Sequence, residues 1–155
     1  MSDFHNIVRH FWRVGLVLLP FIGCFGCSRD SVRVSGVVHR ISGNQMPSPD
    51  LPPSVPRGYR TTVYFFEPAQ RSQAKQADRD GIFFAIGTRL AGKVETKDNG
   101  EFLIRLKPGR YSVLIGKDTL YYGNISDGKG FINPVEVKAG EKNRLELRAD
   151  WDASY

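Results

Sequence analysis

The chain is poor in the side chains on which most chemistry rests. Two cysteines occur among its 155 residues, Cys24 and Cys27, and none follows them. Everything after residue 27 is therefore without disulfides, cysteine metal sites or a thiol nucleophile. Of three histidines, His5 and His10 lie near the start, which leaves His39 alone for the rest of the chain. A histidine-rich zinc site cannot be built from one imidazole. A serine triad would have to rest on that single residue. No long amphipathic helical stretch is present, and only Ser72 to Arg79 has room for a helical turn or two.

Charge of one sign is never concentrated either. The totals are 22 Lys and Arg against 16 Asp and Glu. Setting aside Arg9, Arg13 and Asp3 of the first 27 residues leaves 20 against 15, a net charge of +5. Arg40, Arg57, Arg71, Arg89, Lys117 and Lys138 are scattered. Nucleic-acid binding calls for a concentrated basic face, which the sequence does not show as a block, and export tells against it further, so no nucleic-acid partner is expected. A surface that tolerates anionic lipid or polysaccharide nearby fits the balance better.

What is present begins with the leader. Met1 to Arg13 is basic, and Val14 to Ile22 is almost wholly apolar. That run has the length of a signal-peptide core and falls short of the ~20 residues that span a bilayer. A small residue precedes each cysteine, in Phe21-Ile22-Gly23-Cys24 and in Cys24-Phe25-Gly26-Cys27. Both resemble the bacterial lipobox, whose cysteine is lipidated and becomes the first mature residue. Cys24 has the better apolar residue three positions before it. Cys27 is followed by Ser28, Arg29 and Asp30, a polar start, and is the favoured site with Cys24 the alternative. Serine after the lipidated cysteine resembles an outer-membrane address. Residues 1–27 are thus read as leader, 28–31 as a short tether and 32–155 as one domain.

That domain reads as all-β. Val32, Val34, Gly36 and Val38 alternate in a first strand, and Thr62 to Phe66 makes a second with Val63 and Phe65 on one face. Between them Asn44 to Arg60 holds prolines at 47, 49, 52, 53 and 56 and reads as a surface loop. Ile82 to Ile86 is apolar without clear alternation. Pro134–Val137 and Arg144–Ala149 complete the set. Around Asp98-Asn99-Gly100, burial selects a register. A three-residue loop puts Thr96 and Val94 opposite Phe102 and Ile104, with Lys97 facing Glu101 on the outer side. Gly100 then takes the left-handed position of a bulged loop. Phe102, Ile104 and Leu106 share a face, as do Tyr111, Val113 and Ile115. The intervening Pro108-Gly109 predicts a type II bend, which suits a corner between two packed sheets better than a hairpin. Either way the two triplets should meet in one core.

Val34-Ser35-Gly36-Val37-Val38, Thr62-Val63-Tyr64-Phe65, Asn99-Gly100-Glu101-Phe102 and Leu106-Lys107-Pro108-Gly109-Arg110-Tyr111-Ser112-Val113 resemble the carboxypeptidase regulatory-like domain family. The resemblance covers roughly Val32 to Ala149. It implies a transthyretin-like (prealbumin-type, Ig-like) Greek-key β-sandwich of about seven strands. The quoted residues are packing and turn residues, so they carry fold and no chemistry. The Pro-rich insertion and the Gln70–Ile86 excursion depart from the family pattern. The related hydroxyisourate hydrolase uses several histidines and a Tyr-Arg-Gly-Ser terminus; this chain ends Asp150-Trp151-Asp152-Ala153-Ser154-Tyr155. The family's metallocarboxypeptidase catalytic unit is absent too, since no His-x-x-Glu occurs.

Chemistry is thinly signalled. Asp98/Glu101 and Asp150/Asp152 read as turn and tail charges rather than a hydrolytic dyad. Asp98, Asn99 and Asp127 are oxygen donors in loops, but nothing matches an EF-hand spacing. His39 lies on the opposite face of its strand from Val34 and Val38, as a surface histidine does. The most suggestive group is aromatic: Tyr64, Phe66, Phe83, Phe84, Tyr121 and Tyr122 lie outside the core pattern. Either Ile82–Ile86 folds over the outer face of Thr62–Phe66 and hides it, or these rings form a binding patch for a protein or a sugar. The expectation is a lipid-anchored envelope protein, on the outer membrane, held by Cys27 and needing no cofactor. Its sandwich would be a non-catalytic structural or protein-binding module, accessory to a membrane complex. The alternatives are a carbohydrate- or calcium-binding module and a cryptic hydrolase.

Overall fold

β1 (Val32–Asn44) is the spine of the smaller of two sheets. The computed structural model describes residues 31–46 and 55–155. The leader, Cys24, Cys27, most of the tether and residues 47–54 of the Pro-rich loop lie outside the described residues. In β1, Val34 and Val38 are fully buried while Arg33 and Arg40 are exposed, the alternation expected of a strand with one wet face. β11 (Asn143–Ser154) runs parallel to it on one side. β2 (Arg57–Gly58) and β7 (Glu101–Leu106) run antiparallel on the other. Gly36 lies where a Cβ would come within 2.4 Å of the Phe102 ring, so its bareness admits that ring to the core.

The larger sheet contains seven strands. Its order is β4 (Ala74–Gln76), β5 (Ile82–Ile86), β9 (Leu120–Tyr122), β8 (Gly109–Lys117), β3 (Thr62–Phe66) and β6 (Leu90–Glu95), with β10 (Pro134–Val137) also paired to β8. The two sheets face each other as a β-sandwich. Among the described residues eleven strands replace the expected seven or so, because Arg57–Gly58, Ala74–Gln76 and Leu120–Tyr122 are too short to show a period. The stretch with room for helical turns holds one 3-10 turn, Arg71–Gln73, and then becomes β4.

The loop at Asp98-Asn99-Gly100 has three residues. Lys97 N–H donates to the Glu101 carbonyl at 2.8 Å, Gly100 N–H donates to the Lys97 carbonyl at 2.9 Å, and Gly100 sits at φ 81°. Beyond the turn the expected hairpin does not continue. Val94 pairs with Val63 and Ile104 with Val34, so β6 and β7 part into different sheets. Burial had specified which face turns inward, and both strands obey it. It could not specify the ladder partner, because two strands in opposed sheets can share one core. The Pro108-Gly109 corner does cross between sheets, from β7 to β8. Gly109 at φ 155° is more extended than the roughly +80° of a type II bend.

Phe102, Leu106, Tyr111, Val113 and Ile115 share the inter-sheet core with Val34, Val38, Val63 and Phe65. Phe65 meets Phe102 edge-on at 6.2 Å and Tyr111 at 6.4 Å, which joins the sheets at their centre. Each such buried side chain contributes roughly 1.5–3 kcal/mol. Every described strand and both described hydrophobic clusters lie between Val32 and Ser154.

Candidate binding surfaces

The six aromatics divide between two cores and the surface. Phe66 and Phe83 are buried with Leu114 and Ile132 in a second cluster on the outer face of the larger sheet. Ala74 of β4 and Ile86 of β5 pack on it, but these strands join the same sheet through β9, so the excursion after β3 extends that sheet and covers the cluster with side chains instead of lying over the face of β3. Tyr64 and Tyr121 are half-buried against the same cluster, with Tyr121 edge-on to Tyr64 at 5.0 Å and to Phe66 at 5.4 Å. Tyr122 faces the other way into the inter-sheet core, edge-on to Trp151 at 5.0 Å. Phe84 alone of the six is well exposed, at 58%. One contiguous aromatic patch is thus not formed. Adjacent strand residues face opposite ways, which splits Phe83 from Phe84 and Tyr121 from Tyr122.

The oxygen donors weighed for calcium have separate engagements. Asp98 pairs with Arg60 at 3.2 Å. Asp127 Oδ1 accepts the N–H groups of Lys129 and Phe131, both at 2.9 Å, and Oδ2 lies 3.6 Å from Arg110. Among the described residues no group of three or more His, Asp or Glu is placed to hold a metal ion. His39 is half-buried on the outward face of β1, in a shallow depression with Lys97, Glu101, Arg144 and Glu146.

A groove along β11 is the feature that sequence reasoning missed. It holds a cavity of about 500 Å³ where the two sheets stand apart. Ile115 of β8 and Leu147 of β11 form its floor, with Val135 of β10 and Ile125 of the β9–β10 connection along one wall. Ile125 is 65% exposed. Its only signal in the sequence is an isolated apolar residue between Asn124 and Ser126, and no periodicity marks it. Among the described residues β11 pairs with β1 alone, so its groove side is a free strand edge twelve residues long.

Asp127, Glu146 and Asp150 also line this groove, and both oxygens of Asp150 are in use. Asp150 Oδ1 accepts the Tyr122 hydroxyl at 2.5 Å and the Asn124 amide at 3.0 Å, while Oδ2 accepts the Tyr155 hydroxyl at 2.8 Å. Burial, then the hydrogen bond to Asp150 and its charge, push the Tyr122 hydroxyl far above the usual tyrosine range. Tyr155 is raised as well, chiefly by its hydrogen bond to the same carboxylate. Both phenols are therefore fixed as donors, and Asp150 ties the end of β11 to β9.

No family model matches the chain, and no curated protein or solved structure matches it either.

Proposed function

We propose that the chain is a lipid-anchored envelope protein whose sandwich is a non-catalytic protein-binding module of the carboxypeptidase regulatory-like kind. The groove beside the free edge of β11 is the observation that carries this reading. An extended segment of a partner would pair its backbone with β11 and seat alternate side chains on Ile115, Ile125, Val135 and Leu147, closing the open side of the sandwich. A long unpaired edge next to apolar surface is otherwise a liability for aggregation. The lipobox at Cys24 and Cys27 supports the anchor, and the four residues between Cys27 and Val32 reach only ~15 Å at about 3.5 Å each. Such a tether suits a partner in or against the same membrane. Acyl chains buried at ~0.8 kcal/mol per methylene would hold it there.

The test is cross-linking and co-purification of the full chain from its native envelope. Two variants run beside it: Cys24→Ser with Cys27→Ser, and Ile125→Glu, which places a charge on an exposed wall of the groove. A membrane protein enriched with the wild type and lost with both variants supports the reading. A partner retained by Ile125→Glu removes the groove from it. If lipid alone comes down, and calcium or glycans raise the melting temperature, the carbohydrate- or calcium-binding alternative takes its place.

A further inference from the structure

Basic residues that are scattered along the sequence are gathered by the fold at the end of the sandwich where β1 begins. Val32 pairs with Leu106, Val34 with Asn143 and Val137 with Gly109, so residues 107–108 and 138–142 lie at that end. Three ion pairs are found there: Arg89–Glu67, Arg110–Asp127 and Lys138–Glu141. Arg33, Arg105, Lys107 and Lys142 are exposed and have no acidic partner among the described residues. Against them stands Glu136, an exposed acid that is also unpaired.

The opposite end is balanced. Arg40–Asp152, Arg60–Asp98, Lys97–Glu101 and Lys117–Asp118 match cation to acid, and Arg57 is offset by Glu95, neither having an ion-pair partner among the described residues. The molecule is thus electrically polarised along its strands.

A second observation points the same way. Arg33 and Arg105 stand directly opposite each other across the β1–β7 ladder. Like charges in that position destabilise a sheet. An acid at either site would remove the repulsion and gain a cross-strand pair. The arrangement makes sense when the counter-charge comes from outside the chain.

We infer that this end of the sandwich seats on an anionic phospholipid surface, with Arg33, Arg105, Lys107 and Lys142 against the headgroup phosphates. This rests on the proposed anchor for its orientation, since the lipidated cysteine would precede β1 by a few residues and bring this end to the bilayer. Each basic side chain near such a surface contributes about fivefold to partition at low ionic strength, and salt screens it over a Debye length of about 10 Å. The basic end would also hold β11 at a defined tilt to the membrane, presenting its groove sideways.

The test uses the segment from Ser28 to Tyr155, which contains every described strand and neither cysteine. It is sedimented with phosphatidylcholine vesicles, with and without roughly one third phosphatidylglycerol. Binding to the anionic vesicles only, declining with salt, is expected. Arg33→Gln, Arg105→Gln, Lys107→Gln and Lys142→Gln together should lower partition by more than about a hundredfold at low salt. A charge-matched set at the far end, Arg40→Gln, Arg57→Gln, Arg60→Gln and Lys97→Gln, should change it by less than about threefold. Arg105→Glu, facing Arg33, should weaken binding while keeping an equal or higher melting temperature, which separates lost docking from lost folding. Equal binding to neutral vesicles, or equal weakening by the two quadruple variants, overturns the inference. Such a failure leaves the lipid anchor standing. A mature N-terminus without acyl chains, read by mass spectrometry, would sink the anchor and leave vesicle docking standing.

Discussion

The hydroxyl of Tyr111 donates a hydrogen bond to the carbonyl of Lys107, four residues upstream and 2.7 Å away. It bridges the corner at which the chain leaves the small sheet and enters the large one. The same ring packs on Phe65, so one side chain ties the crossover to the centre of the core. Tyrosine corners of this kind recur where strands change sheets in β-sandwiches. Tyr111→Phe keeps the ring and loses the bond, and the Lys107 carbonyl is exposed enough to find water. A loss of about 0.5–1.5 kcal/mol in urea unfolding is expected. Tyr111→Ala removes the ring too and should cost about 3–5 kcal/mol, by analogy with other buried aromatics.

Phe83 and Phe84 are neighbours in β5 with opposite fates, 0% and 58% exposed. Phe83→Ala should cost about 3–5 kcal/mol, because the cluster around Phe66, Leu114 and Ile132 cannot collapse onto the void. Phe84→Ala should stay within about 0.5 kcal/mol. Denaturant midpoints of the two variants decide this. Similar losses at both would mean that the face over β3 is packed otherwise than described.

Gly100 and Gly140 both have left-handed backbone, at φ 81° and 76°. At Gly100 a Cβ would lie 2.2 Å from the Val38 carbonyl oxygen, whereas at Gly140 nothing stands within 4 Å. Gly140→Ala therefore bears only the backbone term of about 1–2 kcal/mol. Gly100→Ala bears that term and must also push β1 away, so thermal unfolding should show a clearly larger loss. Equal losses would refute the close approach of the loop to β1.

Tyr122 makes stability depend on alkaline pH. Its hydroxyl titrates higher when folded than its ordinary 10.0, so the folded state holds that proton more tightly than the unfolded chain does. The contribution is complete below pH 10 and is lost as pH rises toward the folded value. Urea midpoints should be level through neutral pH and fall above about 10. Tyr122→Phe should flatten that fall, while Tyr155→Phe, at an exposed position, should alter it little.

Much of the fold was legible because most of its strands alternate. Thr62–Phe66 and Pro134–Val137 occupy the stretches that their pattern marks, Ile82–Ile86 is marked only by being an apolar run, and the loop at Asp98-Asn99-Gly100 follows from burial and one glycine. The candidate surfaces were less legible. Ile125 is one apolar residue among polar neighbours, and it lines the groove only because the β9–β10 connection lies beside β11. The aromatics after β3 show an excess of apolar faces, but no pattern told which ring would be covered by which segment.

The sequence by itself determined the class of fold and the inward face of its best-patterned strands. These are local properties, written in a period of two and in turn residues. Only the tertiary structure decided that β6 and β7 part into different sheets, that β11 has one edge unpaired among the described residues, and that Arg33 meets Arg105. Those outcomes depend on which strands become neighbours, and residues remote in the chain set that choice by packing both faces at once.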